Sequence, residues 1–201
     1  MTSVVAIVNN ALNIIGASNI TALTENTKAA RVMNQMYENV RDDVFRAHPW
    51  NCLIRRAELA QDVTAPVFDY TYQYTLPSDP YCLRVLAFQN GSMTYPFENL
   101  VGQGNKPFFV IEGRKLLTDS GTARIKYVAR ITDPTEYDAG LVSALAARLA
   151  SETAYAITGS TSVVQIADAL YDKKLREARF SNATENATVK LEASDFIEAR
   201  F

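Results

Sequence analysis

The only histidine and the only tryptophan of the chain lie two residues apart, His48 and Trp50, with Pro49 between them and Cys52 just beyond. A histidine near a thiol is raw material for nucleophilic catalysis, because the imidazole can take the thiol proton. The spacing here works against that use. Pro49 lacks an N–H and pushes the residue before it out of the helical region, so the amphipathic helix leading to Ala47 should stop at His48. Beyond it, Arg55, Arg56, Ala57 and Leu59 read as an extended strand. At such a helix-to-strand corner, His48 would meet Cys52 or Cys82 only by accident. An enzyme could use the corner as a site. A structural protein would use His48, Pro49 and Trp50 to fix the angle between a helical layer and a sheet.

Other chemical motifs are sparse. Gly102-Gln103-Gly104 runs into Asn105-Lys106-Pro107, which offers no helix N-terminus to hold a phosphate. One histidine cannot supply the paired imidazoles of a zinc-protease helix. The carboxylate pairs Asp42-Asp43 and Asp133 with Glu136 read as solvated surface, since neighbours on a helix or turn point apart. Arg55-Arg56 and Lys173-Lys174-Arg176 are short clusters that fit the outside of a strand and of a helix. Cys52 and Cys82 stand among apolar residues without a C-x-x-C spacing and read as buried thiols. No catalytic residue, metal or cofactor is called for, and the chain reads as one that binds and builds.

At 201 residues the chain is long enough for one domain with a full core, and 48% hydrophobic with 21% charged residues is an ordinary globular composition. A formal net charge of −2 argues against a general nucleic-acid binder. No apolar run reaches the roughly eighteen residues of a membrane span. The N-terminal MTSVVAIVNNALNIIG lacks the basic start and cleavage site of a signal peptide. The N-x-[ST] matches at Asn19, Asn90, Asn182 and Asn186 are then chance in an intracellularly assembled protein.

Hydrophobic periodicity predicts helices over about 3–16, 26–47, 139–157 and 161–182. Gly16 should stop the first and Thr24 should cap the second, and their short joint suggests an antiparallel hairpin. Val40, Val44 and Phe45 form the inner side of the second helix, with Arg41, Asp42, Asp43 and Arg46 outside. Ala144, Ala147, Ala150 and Ala154 allow close packing of the third. Val163, Val164, Ile166, Ala167, Leu170 and Leu175 form the inner face of the fourth. Between about 51 and 131 the pattern turns β-rich. Strands are expected within 70–76, 83–88, 108–111, 115–117 and 123–129, with turns at 77–80, 90–92 and 112–114 and the spacing of an antiparallel meander. The predicted class is α+β: a four-helix bundle with an inserted antiparallel β-rich subdomain over residues 1–182, then an extended C-terminal arm, 183–201. That arm is too polar for a core of its own, yet Leu191, Phe196, Ile197 and Phe201 are spaced like anchors, with Glu198 and Arg200 as rim charges.

A series of short motifs resembles one known family. Arg41-Asp42-x-x-Phe45-Arg46-x-His48-Pro49-Trp50-Asn51 is followed by Arg56-Ala57-x-Leu59-Ala60, Tyr74-x-Leu76-Pro77-x-Asp79 and Leu83-Arg84-Val85. Glu112-Gly113-Arg114-x-Leu116-Leu117-Thr118-Asp119, Ile125-x-Tyr127, Thr132-Asp133-Pro134, Leu145-x-x-Arg148-Leu149-Ala150 and the closing Ala199-Arg200-Phe201 continue it in order. Together they look like the tail tubular protein A family, the head-to-tail adaptors of short-tailed bacteriophages, over nearly the whole chain. The resemblance implies a virion protein at the head–tail junction, assembled in the host cytoplasm. It implies a twelve-fold ring that joins the portal to a tail nozzle of the tubular protein B kind and continues the channel for double-stranded DNA. It also implies that the C-terminal arm, with Leu191, Phe196, Ile197, Arg200 and Phe201, grips the portal. Residues 91–107 have no counterpart in the pattern. The competing readings are an intracellular enzyme with its site at the His48–Trp50 corner, and a small nucleic-acid-binding regulator, which would need a reading helix and a basic face.

Overall fold

The computed structural model describes residues 2–90, 93–96 and 107–185. Within them the chain is an α+β protein of four α-helices and two antiparallel sheets. The helices are α1 (Val4–Ile14), α2 (Lys28–Ala47), α3 (Ala139–Thr158) and α4 (Thr161–Thr184). Each starts on a side chain that accepts an otherwise unpaired N–H: Ser3 from Ala6, Thr27 from Ala30, Asp138 from Gly140 and Ser160 from Val163. The cap of α2 is therefore Thr27, not Thr24. The Glu25 carboxylate reaches back to the N–H groups of Thr21 and Ala22 and holds the preceding residues in a loop. Gly16 and Gly159 follow α1 and α3 at φ of 71° and 70°, conformations that favour glycine.

The helix α3 is the centre of the bundle and packs on α1, α2 and α4. Leu141, Leu145 and Leu149 are buried on it together with Ala144, Ala147, Ala150 and Ala154, whose small side chains let neighbours approach. The expected α1–α2 hairpin is not formed: the two helices touch only slightly, and each packs on α3 instead. Their connection is pinned by Asn9, whose amide donates to the Ile20 carbonyl and accepts from its N–H, each at 2.9 Å. A second departure concerns α4, where Ile166 is 65% exposed and the buried residues are Ala167, Ala178 and Asn182. Packed chiefly on α3, this helix needs only a narrow stripe of small residues inside, while Val163, Val164, Leu170 and Leu175 are half-buried. It also runs to Thr184, so the first residues assigned to the arm are helical.

The strands are β1 (Ile54–Leu59), β2 (Tyr72–Thr75), β3 (Cys82–Asn90), β4 (Met93–Pro96), β5 (Phe109–Glu112), β6 (Lys115–Thr118) and β7 (Ala123–Ala129). They do not form a simple meander. One sheet has the order β1-β7-β3-β4 and the other β2-β6-β5. Alternation marks a strand but not its partner, and β4 had no distinct signal beyond the turn before it. The first and last strands of the insertion pair with each other, Ile54 opposite Val128 through Leu59 opposite Ala123. The chain thus leaves the bundle after α2 and returns to α3 at adjoining points. Phe88 and Phe109, ring centroids 5.2 Å apart, join the two sheets.

An ionic and aromatic chain fastens bundle to sheet. Arg41, expected outside, is only 6% exposed and donates two bonds, 3.0 and 2.9 Å, to one Asp42 oxygen, while the other Asp42 oxygen pairs with Arg130. Burial of this arginine is tolerable because its charge is met directly by the half-buried Asp42 carboxylate. The guanidinium of Arg130 lies 4.4 Å from the Tyr81 ring centroid and that of Arg114 3.9 Å, and Arg114 also donates to the Cys82 and Leu76 carbonyls. Asp42 is therefore no solvated surface carboxylate. Glu136 pairs with Arg55 at 2.7 Å, and Asp133 is held below the usual carboxylate range by the Thr135 N–H and hydroxyl.

The start of α3 meets the end of α4 closely. A Cβ on Gly140 would lie 2.9 Å from an Asp138 oxygen and 3.1 Å from the Ala178 Cβ. Gly140→Ala should cost about 1–3 kcal/mol in urea unfolding, by overpacking. Gly121, with nothing within 4 Å of its would-be Cβ, should tolerate alanine within about 0.5 kcal/mol. Equal effects of the two substitutions would refute the close approach as the cause.

Candidate functional site

The corner after α2 is built as the sequence requires. His48 takes an extended conformation (φ −148°, ψ 144°), and a single 3₁₀ turn, Asn51–Leu53, leads into β1. Trp50 is fully buried, its indole N–H donating to the Val44 carbonyl at 2.9 Å and its ring standing edge-on to His48 at 4.9 Å. The last carbonyls of any helix lack partners within it. Those of α2 are served from three directions: Val44 by Trp50, Arg46 by the Arg84 side chain of β3 at 3.3 Å, and Ala47 by Arg179 of α4 at 3.3 Å.

A residue not singled out by the sequence closes the corner. Asn182, 7% exposed near the end of α4, accepts from the Asn51 N–H at 2.8 Å. Since that backbone group can only donate, the amide orientation is fixed. Its nitrogen then faces the His48 Nε2 at 3.1 Å and the Pro49 carbonyl at 3.4 Å. Asn51 returns the contact, its side-chain amide donating to the Asn182 carbonyl and to a Glu185 carboxylate oxygen, each at 2.9 Å. His48 thus serves as an acceptor, which requires the neutral ring with its proton on Nδ1. Burial first, and the Arg179 charge second, hold its pKa below the ordinary histidine value. The one trace of Asn182 in the sequence was an N-x-[ST] match, which says nothing of a clamp 131 residues distant from Asn51.

Chemically the corner is a joint. His48 Nε2 is engaged by an amide, and burial raises the half-buried Cys52 thiol. Cys82 is pushed up to about 11, chiefly by burial. Neither thiol is an activated nucleophile. Among the described residues no group of three or more His, Cys, Asp or Glu side chains could hold a metal ion, and no helix is long and apolar enough to cross a membrane. The proposed arm residues Leu191, Phe196, Ile197, Arg200 and Phe201, and the loop without a counterpart, 91–107 apart from 93–96 and Pro107, lie outside the described residues. The chain matches no protein-family model and no curated protein sequence.

Trp50→Ala should destabilise the fold by about 3–5 kcal/mol, as truncation of buried aromatics does; an unchanged thermal midpoint would contradict a structural corner. A second expectation concerns pH. With the folded-state pKa of His48 depressed, its contribution to stability is complete above the unfolded value of about 6.5 and lost as pH falls through the folded one. Urea midpoints should therefore drop between pH 7.5 and 5.5 more steeply for the wild type than for His48→Gln, which keeps an acceptor but cannot titrate. Parallel slopes would remove His48 as the source.

Proposed function

We propose that this chain is the subunit of a head-to-tail adaptor of a short-tailed bacteriophage. Twelve copies form a ring between portal and tail nozzle in the virion, assembled in the host cytoplasm, and continue the channel through which double-stranded DNA leaves. The observation that carries this reading is where the ordered motif residues fall. Arg41 and Asp42 lie in the ionic chain between bundle and sheet, His48, Pro49 and Trp50 in the corner, Gly113-Arg114 in the turn from β5 to β6, and Leu145 and Leu149 on the central helix. They are building positions scattered over the chain, and they join its layers. A shared pattern of that kind points to a shared architecture, not to a shared reaction. The small negative net charge suits a wall past which duplex must move without sticking.

In this reading the segment after α4 is the portal clamp, its apolar residues filling pockets and its charges at the rim. The purified protein should form ring-sized particles in the presence of portal, measured by light scattering and electron microscopy. Deletion of residues 190–201 should leave the thermal midpoint of the body in place and abolish portal attachment. Wild-type docking by the truncated protein would overturn the clamp; failure of the full chain to bind portal at all would overturn the adaptor reading.

A further inference from the structure

Beside the start of β3, three arginines from separate elements border one cleft of about 390 Å³: Arg46 near the end of α2, Arg84 on β3 and Arg114 in the turn from β5 to β6. Buried Leu76, Leu83 and Val85 line it with them. The pairing of β3 with β7 slips between Cys82 and Arg84, an irregularity of the kind that leaves backbone groups unpaired and re-aims side chains. Neutral carbonyls hold all three arginines in place. Arg46 donates to Leu83, Arg84 to Arg46 at 3.3 Å, and Arg114 to Cys82 at 2.9 Å, to Leu76 at 3.2 Å and to Pro77. Arg114 also lies on the Tyr81 ring, 3.9 Å from its centroid.

These bonds orient the guanidiniums without neutralising them. Each guanidinium has several N–H donors and a permanent charge, and the carbonyls take only some of the donors. No Asp or Glu lines the cleft, and among the described residues none of the three arginines has an ion pair. Asp42 is shared by Arg41 and Arg130, and Asp43 borders a different cavity. The charges of Arg114 and Arg46 both pull the Cys82 thiol down against the burial that raises it, so the two fields overlap at the cleft. Like charges around one hollow repel, and an anion seated among them would relieve the repulsion.

We propose that this cleft is a binding site for a phosphate group. A carboxylate presents two coplanar oxygens and a single charge, which one guanidinium fork already matches. Three cations supplied by α2, β3 and the β5–β6 turn suit a tetrahedral group with more charge and more acceptor oxygens. Guanidiniums prepositioned by carbonyls lose little freedom when the anion arrives. The buried leucines and valine in the lining keep the local dielectric low, so the attraction is screened less than on an open surface. A free phosphate ion offers this chemistry, and so does the backbone of a nucleic-acid duplex. The site stands on its own geometry and does not depend on the adaptor reading.

Titration of the isotope-labelled full chain with inorganic phosphate, at constant ionic strength set by chloride, tests it by NMR. The Nε–H signals of Arg46, Arg84 and Arg114 and the amides of Cys82, Leu83 and Val85 should shift and saturate. Arg46→Gln and Arg84→Gln each keep an amide donor for the carbonyl now served, and each should weaken phosphate binding about tenfold. Their thermal midpoints in phosphate-free buffer should match the wild type. Arg84→Lys, which keeps the charge and loses the fork, should fall between, and it carries the test if a glutamine variant lowers the midpoint. A second arm uses a short DNA duplex. Movement of the same signals, reversed by phosphate, identifies a backbone as the source; a duplex that leaves them in place identifies the free ion. Shifts centred elsewhere, no saturable shift, variants that bind like the wild type, or acetate bound as tightly as phosphate would each overturn the site. Portal attachment is scored separately, so either reading can fail while the other stands.

Discussion

The fold turns on the way α2 ends. Proline forbids the helix to continue, and the carbonyls left open must find donors, that of Val44 in the buried interior. Trp50 folds back on Val44, while Arg84 and Arg179 arrive from the sheet and from α4. One helix terminus thereby becomes the meeting point of three elements that are far apart in sequence. An aliphatic residue at position 50 could fill volume but could not donate, and the Val44 carbonyl would lose its partner. Tryptophan combines a large apolar body with a single N–H, which suits a buried position beside an open carbonyl.

The ionic chain from Arg41 through Asp42 and Arg130 to Tyr81 and Arg114 performs a related task by other means. Apolar packing tolerates sliding, because many arrangements bury nearly the same area. A guanidinium locked on a carboxylate and a second stacked on a phenol ring admit few alternatives. The stabilisation from such buried pairs is modest, since desolvation offsets much of the attraction. Their effect is to select one orientation of sheet on bundle, which matters for a subunit that has to match copies of itself.

What could be read in the sequence was what is local. Pro49 dictates the conformation of His48 whatever surrounds it, and serine, threonine or glycine at a helix end acts within a turn. The Tyr72–Thr75 alternation marks a strand for the same reason. Apart from the cap of α2, which is Thr27 and not Thr24, the misreadings required knowledge of a distant partner. Arg41 lies on the polar side of a helical wheel, and only the proximity of Arg130 and a shared Asp42 makes its burial possible. Ile166 belongs to an apolar stripe, and only the peripheral place of α4 leaves it in solvent. Asn182 resembles any polar residue near a helix end until the Asn51 N–H is set before it. Pairing of β1 with β7 depends on strands more than sixty residues apart, which no window along the chain can connect.

That pairing has a mechanical meaning. The bundle holds the insertion by the start of β1 and the end of β7, which lie side by side at one end of an antiparallel pair. A pull on the far end of the insertion draws both strands along their length in the same direction, and their mutual hydrogen bonds bear little shear. Tension instead reaches the bundle at the corner and at the approach to α3, where the donors of Trp50 and Asn182 act as rivets. Force spreading the two attachment points would act differently, opening the ladder one bond at a time from the bundle side. The subdomain is thus stiff toward axial load and compliant toward prying, an anisotropy set by connectivity alone.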